Sequence, residues 1–280
     1  SSREDLVNMD QGVRYELTCD IDLGGEAWYS IPFWGILDGN GYAIQNMSFV
    51  GDLPSTVSML GLFGEATGII ENLKIENCTF ITTVAQGQYL TCGAIAACAS
   101  GLLMVKNCSV DANSTMTIKG KNSVSVGGLL GYSSDKIVGA AVTNCTNRSS
   151  IAVTIDDGGI TNPIVRVGGI VAEGYSLYGC ENYGNIILSV TAKHSSSCMV
   201  GGVVGISGPG SGVDSCSNYG DINGDTIGAV TCFNFGGIVG TLENATLRNC
   251  LNHGNITSRF WTGGIVGVTN GSDSLIENCL

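Results

Sequence analysis

One phrase recurs through the chain and limits what it can fold into. It reads Gly61-Leu-Phe-Gly64, Gly93-Ala-Ile-Ala96, Gly127-Gly-Leu-Leu-Gly131, Gly168-Gly-Ile-Val-Ala172, Gly201-Gly-Val-Val-Gly205, Gly236-Gly-Ile-Val-Gly240 and Gly263-Gly-Ile-Val-Gly267. A second phrase follows each copy and centres on Cys78, Cys108, Cys145, Cys180, Cys216, Cys250 and Cys279. Successive cysteines lie 30, 37, 35, 36, 34 and 29 residues apart. Fixed-period self-similarity of this length is the mark of a solenoid, in which each unit buries its apolar side only against its neighbours.

The residues around the cysteines say how one unit folds. An apolar residue stands three positions before most of them, as at Ile75, Val105, Val142, Val213, Leu247 and Ile276. Asn precedes the cysteine at 77, 107, 144, 249 and 278. That spacing is not the period-two alternation of one strand, and glycines and β-branched residues break any helical stripe. It predicts two short strands joined by a corner, with Asn taking the turn conformation. Gly184, Gly220 and Gly254 are expected at a second corner that needs a positive φ. The seven cysteines should then form a ladder, small and apolar enough for an interior row.

The expected fold is an all-β, right-handed parallel β-helix of about eight coils. A cap over residues 1–12 precedes a repeat domain over 13–280, with Ser2 as the N-cap of a short helix. Such a helix would cover unpaired strand edges at that end. Tyr15–Leu23 and Phe33–Ile44 read as strands around a tight turn at Asp38-Gly-Asn-Gly41. Insertions are expected as loops at 155–163 and 188–197. The sequence opens at Ser1 with no leader-like segment and stops at Leu280 midway through a repeat. A processed chain that continues, or that self-associates through its open last coil, is the expectation.

Composition removes several classes. Asp and Glu outnumber Lys and Arg by 24 to 12, so the net charge is −12 and no basic face exists for nucleic acid. The longest uncharged stretch, 77–105, is too rich in Thr and Gln for a membrane span. Nine Asn-x-Ser/Thr sequons stand at Asn46, Asn77, Asn107, Asn113, Asn144, Asn147, Asn244, Asn255 and Asn270. They are candidates for glycosylation and, with the cysteines, point to an extracellular or cell-surface location.

Tyr15–Leu23, Leu37-Asp-Gly-Asn-Gly-Tyr-Ala-Ile44 and Gly61-Leu-Phe-Gly64 resemble the entry to GLUG-type repeats. Such repeats occur in microbial surface proteins, including non-catalytic regions of bacterial immunoglobulin-A-cleaving metallopeptidases. The resemblance spans nearly the whole chain and implies a parallel β-helix displayed outside the cell. It implies no peptidase activity, because the zinc motif His-Glu-x-x-His is absent.

Chemistry-bearing residues are sparse. No Cys-x-x-Cys pair occurs, and His194 and His253 are the only histidines, so no metal or other cofactor is called for. Cys198 and Cys232 precede consecutive glycine phrases and are the best candidate disulfide. Asp20/Asp22, Asp156/Asp157 and Asp221/Asp225 are the close acidic pairs, and none recurs in the next unit as a glycan-cleaving site would require. Trp28, Tyr29, Phe33 and Trp34 near one end, and Phe260 and Trp261 near the other, read as caps on the core before sugar-stacking platforms. The expectation is a non-catalytic structural module, a rigid stalk or fibre-forming scaffold. The alternatives are an adhesin binding glycan or host protein through coil-edge loops, and a polysaccharide lyase or hydrolase.

Overall fold

The computed structural model describes residues 2–133, 141–156, 163–174, 176–192, 196–228 and 232–280. A coil begins with a short strand on a first face, such as Val124–Gly127. It turns at Gly128-Leu129 onto a second face, Leu130–Ser133 and Ala141–Thr143. A corner at Asn144 leads to a two-residue third face, Thr146–Asn147, and a further corner to a fourth, Ser150–Asp156. Every face pairs with its counterpart one coil away in parallel register. The result is the expected β-solenoid. Among the described residues the first and fourth faces are seven strands deep and the third is eight. Seven stacked strands span six full turns, fewer than the eight coils expected.

Inward-facing residues stack over one another and fill the interior. One such row runs Ile70, Val105, Val142, Leu177, Val213, Leu247, Ile276 in continuous register. All but Ile276 are almost fully buried. Each buried side chain of this size contributes on the order of 1.5–3 kcal/mol over leaving it in water. Stacking thus replaces the sequence-distant packing of an ordinary globular core.

The corners work as read at Asn and differently at Gly. Asn77, Asn107, Asn144, Asn249 and Asn278 hold φ between 51° and 53°, and Gly179 and Ser215 take the same left-handed role. Gly184, Gly220 and Gly254 do not have positive φ. Glycine is required there by close approach, since a Cβ on Gly220 would lie 2.0 Å from the Gly184 carbonyl oxygen. The glycine phrases obey the same rule, with a Cβ on Gly201 set 1.9 Å from Val204 O.

Register also corrects the cysteine ladder. Ser109 pairs with Lys74 and Val110 with Ile75, which sets Cys108 over Leu73 and not over Cys78. The segment Ile70-Glu-Asn-Leu-Lys-Ile-Glu-Asn-Cys78 holds two copies of one phrase, and packing selects the first. Leu73 lies 35 residues before Cys108, close to the other intervals. Thr79 pairs with Thr115, so Cys78 sits at the next corner, where its amide donates to Ser114 Oγ at 2.9 Å. The ladder is therefore six cysteines, Cys108 to Cys279, topped by Leu73.

At the first end, helix α1 (Arg3–Val7) is N-capped by Ser2, whose hydroxyl accepts from the Asp5 amide. Leu6 joins the core at 2% exposure, and Arg3 donates to Ala27 O and pairs with Glu26. Of the expected insertions, 157–162 and 193–195 lie outside the described residues. Residues 188–192 belong to the strand Ile186–Ala192 and not to a loop.

Candidate functional site

Four features could bear function, and each grows from the stacking. The first is a concave seam where the Gly-Gly turn folds the first face against the second. Residues seven apart meet across it: Arg166 Nε lies 2.6 Å from Glu173 Oε2, and Asn234 Nδ2 donates to Thr241 Oγ1 at 2.9 Å. Tyr89 and Ser125 share a hydrogen bond of 2.7 Å in the coils before. Ser125, Asn234 and Thr241 are buried although they point away from the core, which shows how tightly the seam closes. Asn234 Oδ1 has no donor among the described residues. Burial, and next to it the Glu173 charge, raises the Tyr132 hydroxyl above its ordinary pKa.

The second feature is a surface stack. Arg148 lies 4.2 Å over Tyr183, Tyr183 stacks on Tyr219 at 4.6 Å, and Tyr219 on His253 at 4.9 Å. The interplanar angles of 8° and 6° mean the rings occupy one another's faces. A sugar could stack only on the outer face of His253. His194 lies outside the described residues.

Third is the apolar groove beside the first coils, about 610 Å³, lined by Trp28, Tyr29, Phe49, Val57 and Met59 among others. Trp28 is buried, with Nε1 donating to Leu62 O at 3.1 Å, and Phe33 is stacked on Phe63. Those two act as core. Tyr29 and Trp34 are exposed, as are Trp261 and, less so, Phe260, which stacks on Phe233.

The fourth is the file of buried thiols. Cys108, Cys145, Cys180, Cys216 and Cys250 are buried and Cys279 is half-buried, all as free thiols. Off the file, desolvation pushes the Cys78 thiol up to about 12. Cys198 pairs in register with Phe233, and Cys232 with Ser197, so those two cysteines stand one residue out of step. The side chain of Cys232 lies outside the described residues.

Three members of the acidic pairs serve as hydrogen-bond acceptors for neighbouring backbone and Asn side-chain amides. Asp20 accepts from Ala43 N, Asp22 from Gly24 N and Asn46 Nδ2, and Asp221 from Asn255 N and Nδ2. Asp225 lies on the strand Ile222–Gly228 and Asp156 ends a strand, while Asp157 is outside the described residues. Among the described residues, no three or more His, Cys, Asp or Glu are placed to hold a metal ion. Among the described residues, no helix is long and apolar enough to cross a membrane.

The sequons divide sharply. Asn147 is fully buried, and its Nδ2 donates to Ser149 O and to Asn182 Oδ1, both at 3.0 Å. It cannot take a glycan in the folded chain, which corrects that candidate. Asn147, Asn182 and Asn218, buried, and Asn252, half-buried, form an amide ladder that sequence reasoning missed; the shared Asn two residues after Cys145, Cys180, Cys216 and Cys250 was its signal. Asn46, Asn77, Asn107 and Asn144 belong to corner ladders of amide-to-amide hydrogen bonds. Asn113, Asn244, Asn255 and Asn270 are exposed.

No protein-family profile and no curated protein matches the sequence. Among solved structures the chain is similar to one described as a "putative immunoglobulin A1 protease from Bacteroides ovatus". The TM-score is 0.60 at 17% identity, over 98% of this chain and 82% of that one. That likeness defines a β-solenoid fold.

Proposed function

We propose that the chain is a non-catalytic structural module of a surface or secreted protein, a rigid rod that spaces or displays other parts. The observation that carries this reading is the parallel stacking of all four faces, coil upon coil, over one continuous core among the described residues. Rods of this kind resist bending because each coil is fixed by backbone hydrogen bonds on every face. The GLUG-type phrases support a carrier region of a larger extracellular protein. Of the stalk and the head-to-tail fibre, the stalk is favoured, because α1 sets Leu6 into the core at the first coil, where the next unit of a fibre would pack.

Small-angle scattering and electron microscopy on the purified chain test this. A rigid rod is expected, with length set by about 4.8 Å per coil. A flexible or collapsed particle overturns the reading. Incubation with immunoglobulin A and with acidic polysaccharides is expected to give no turnover, and cleavage of either restores the enzyme reading. Self-association belongs to the same proposal, through the exposed ring of Trp261. Light scattering should show a dimer that Trp261→Ala weakens; a monomer at all concentrations removes that part.

A second reading, an adhesin, draws on the groove beside exposed Tyr29. Glycan-array binding that Tyr29→Ala abolishes would establish it.

A further inference from the structure

The first coil is one strand short. Asp22 pairs with Gln45 and Ile31 with Phe63, so the path from 22 to 31 takes nine steps where the path from 45 to 63 takes eighteen. The short path meets the fourth-face strand Ser48–Asp52 at a single bridge, Ala27 to Ser48, where Trp28 N donates to Ser48 O at 2.9 Å. It then crosses to the first face, where Ser30 Oγ donates to Gly61 O at 2.9 Å and accepts from Gly61 N at 3.1 Å.

The rest of the Ser48–Asp52 edge is bare. In a parallel pair, successive residues turn their backbone groups to opposite sides. Thr79 N donates to Met47 O and Leu53 N to Thr83 O, so 47, 49, 51 and 53 face the next coil. Val50 and Asp52 therefore point N–H and C=O outward, and no backbone group among the described residues meets them. This edge opens into the apolar groove. The far wall, 54–57, is fixed by Gln88, whose Nε2 donates to Pro54 O at 3.0 Å and to Val57 O. Gly51, between the two outward residues, has nothing within 4 Å of where a Cβ would stand. The charged residues lining the groove are Asp52 and Glu65, both acidic.

We propose that the groove takes one extended segment of a partner polypeptide, added as a strand on this edge. The segment's central residue stands over Gly51, donates its N–H to Val50 O and accepts from Asp52 N. Its apolar side chain enters the groove, and a Lys or Arg at the next position stands over Asp52. The chain's own columns show that such a sequence fits. Gly51, Thr82 and Ile118 are in register, as are Asp52, Thr83 and Lys119. The proposal does not depend on the rod reading, and it gives to a polypeptide the groove that the adhesin reading gives to glycan.

The probe is the peptide of residues 117–123, acetylated and amidated, in which Ile118 is the central residue and Lys119 follows it. Titrated into the isotope-labelled full chain, it should bind with Kd at or below about 1 mM. At saturation, amide exchange at Val50 and Asp52 should slow at least about fivefold. N-methylation of Ile118 in the peptide deletes the donor to Val50 O and leaves the protein untouched, so binding should weaken at least about tenfold. Val50→Pro removes an N–H that serves no ladder bond, which an edge strand tolerates. That variant should keep its thermal midpoint and lose binding by a similar factor, whereas Val50→Thr should bind as the parent does. Absence of binding, equal binding of the N-methylated peptide, or protection only at Ile256–Thr257 and Trp261–Gly263 overturns the proposal. So does glycan binding that needs Tyr29 in a chain that ignores the peptide.

Discussion

Single side chains in this molecule matter through their copies. Asn182 illustrates it: its Nδ2 donates to Gly184 O and to Asn218 Oδ1, both at 2.9 Å, while its Oδ1 accepts from Gly184 N and Asn147 Nδ2. Both amide protons and the oxygen are satisfied with no water needed. A Cβ on Gly169 would lie 2.3 Å from Asn182 Cγ, so the glycine of the coil's first corner exists to admit this amide. Asn182→Ala strips partners from several buried groups at once, and unsatisfied buried groups cost about 1–3 kcal/mol each. Loss of at least about 3 kcal/mol in urea unfolding is expected, whereas Asn255→Ala at an exposed corner should cost under about 1 kcal/mol. The same burial governs modification. In a glycosylating host, site-resolved glycopeptide mapping should find sugar at exposed Asn113 and none at Asn147.

Between residue and rod lie the corner ladders, and they have a polarity. Asn144 Nδ2 donates to Asn107 Oδ1, Asn107 to Asn72, and Asn72 to Asp38 Oδ1. Asn77 donates to Asn46, which donates to Asp22, and Asn278 donates to Asn249, which donates to Asp214. Each amide row thus ends on a carboxylate, which only accepts. The donated amide bonds, ahead of any charge partner, hold Asp22, Asp38 and Asp214 below the ordinary carboxylate pKa. Their stabilisation is complete above the unfolded-state value of 3.8 and is lost as pH falls through the lower folded-state values. Thermal midpoints should therefore fall as pH is lowered below about 4, and Asp38→Asn should flatten part of that slope. An unchanged slope in Asp38→Asn would remove Asp38 from the account. The repeat, the solenoid and the left-handed Asn corners were legible because each leaves a periodic trace in the chain. The choice of Leu73 over Cys78 was not, since Ile70-Glu-Asn and Ile75-Glu-Asn are identical as text and only stacking separates them. Nor was the seam legible, because Arg166 and Glu173 meet only once the Gly168-Gly169 turn is bent. Gly220 reads in the sequence as a turn residue, but its need for no Cβ comes from the neighbouring coil.

For the whole molecule, stability is the sum of coil-to-coil interfaces, so its ends decide whether it stays a single rod. The first coil would expose strand edges and the inward side chains of Leu17, Ile21 and Leu37 without α1. Leu6 is the one residue of that helix buried to the core, while Arg3 ties the helix to Leu23 O, Glu26 and Ala27 O. Leu6→Asp places a charge where an apolar side chain was buried, at a cost of about 2–3 kcal/mol from the lost burial alone. Coils further along keep their own neighbours, so the loss should be local: hydrogen exchange is expected to quicken over residues 13–45 and to stay slow around Val142 and Leu177. The uncovered edge is then free to pair with another strand edge. Size-exclusion chromatography should show Leu6→Asp shifting to larger species with rising concentration, and Arg3→Ala should do so more weakly. Were Leu6→Asp to leave both exchange and oligomeric state unchanged, α1 would not be the device that closes this end, and the preference for a stalk over a fibre would lose its structural basis.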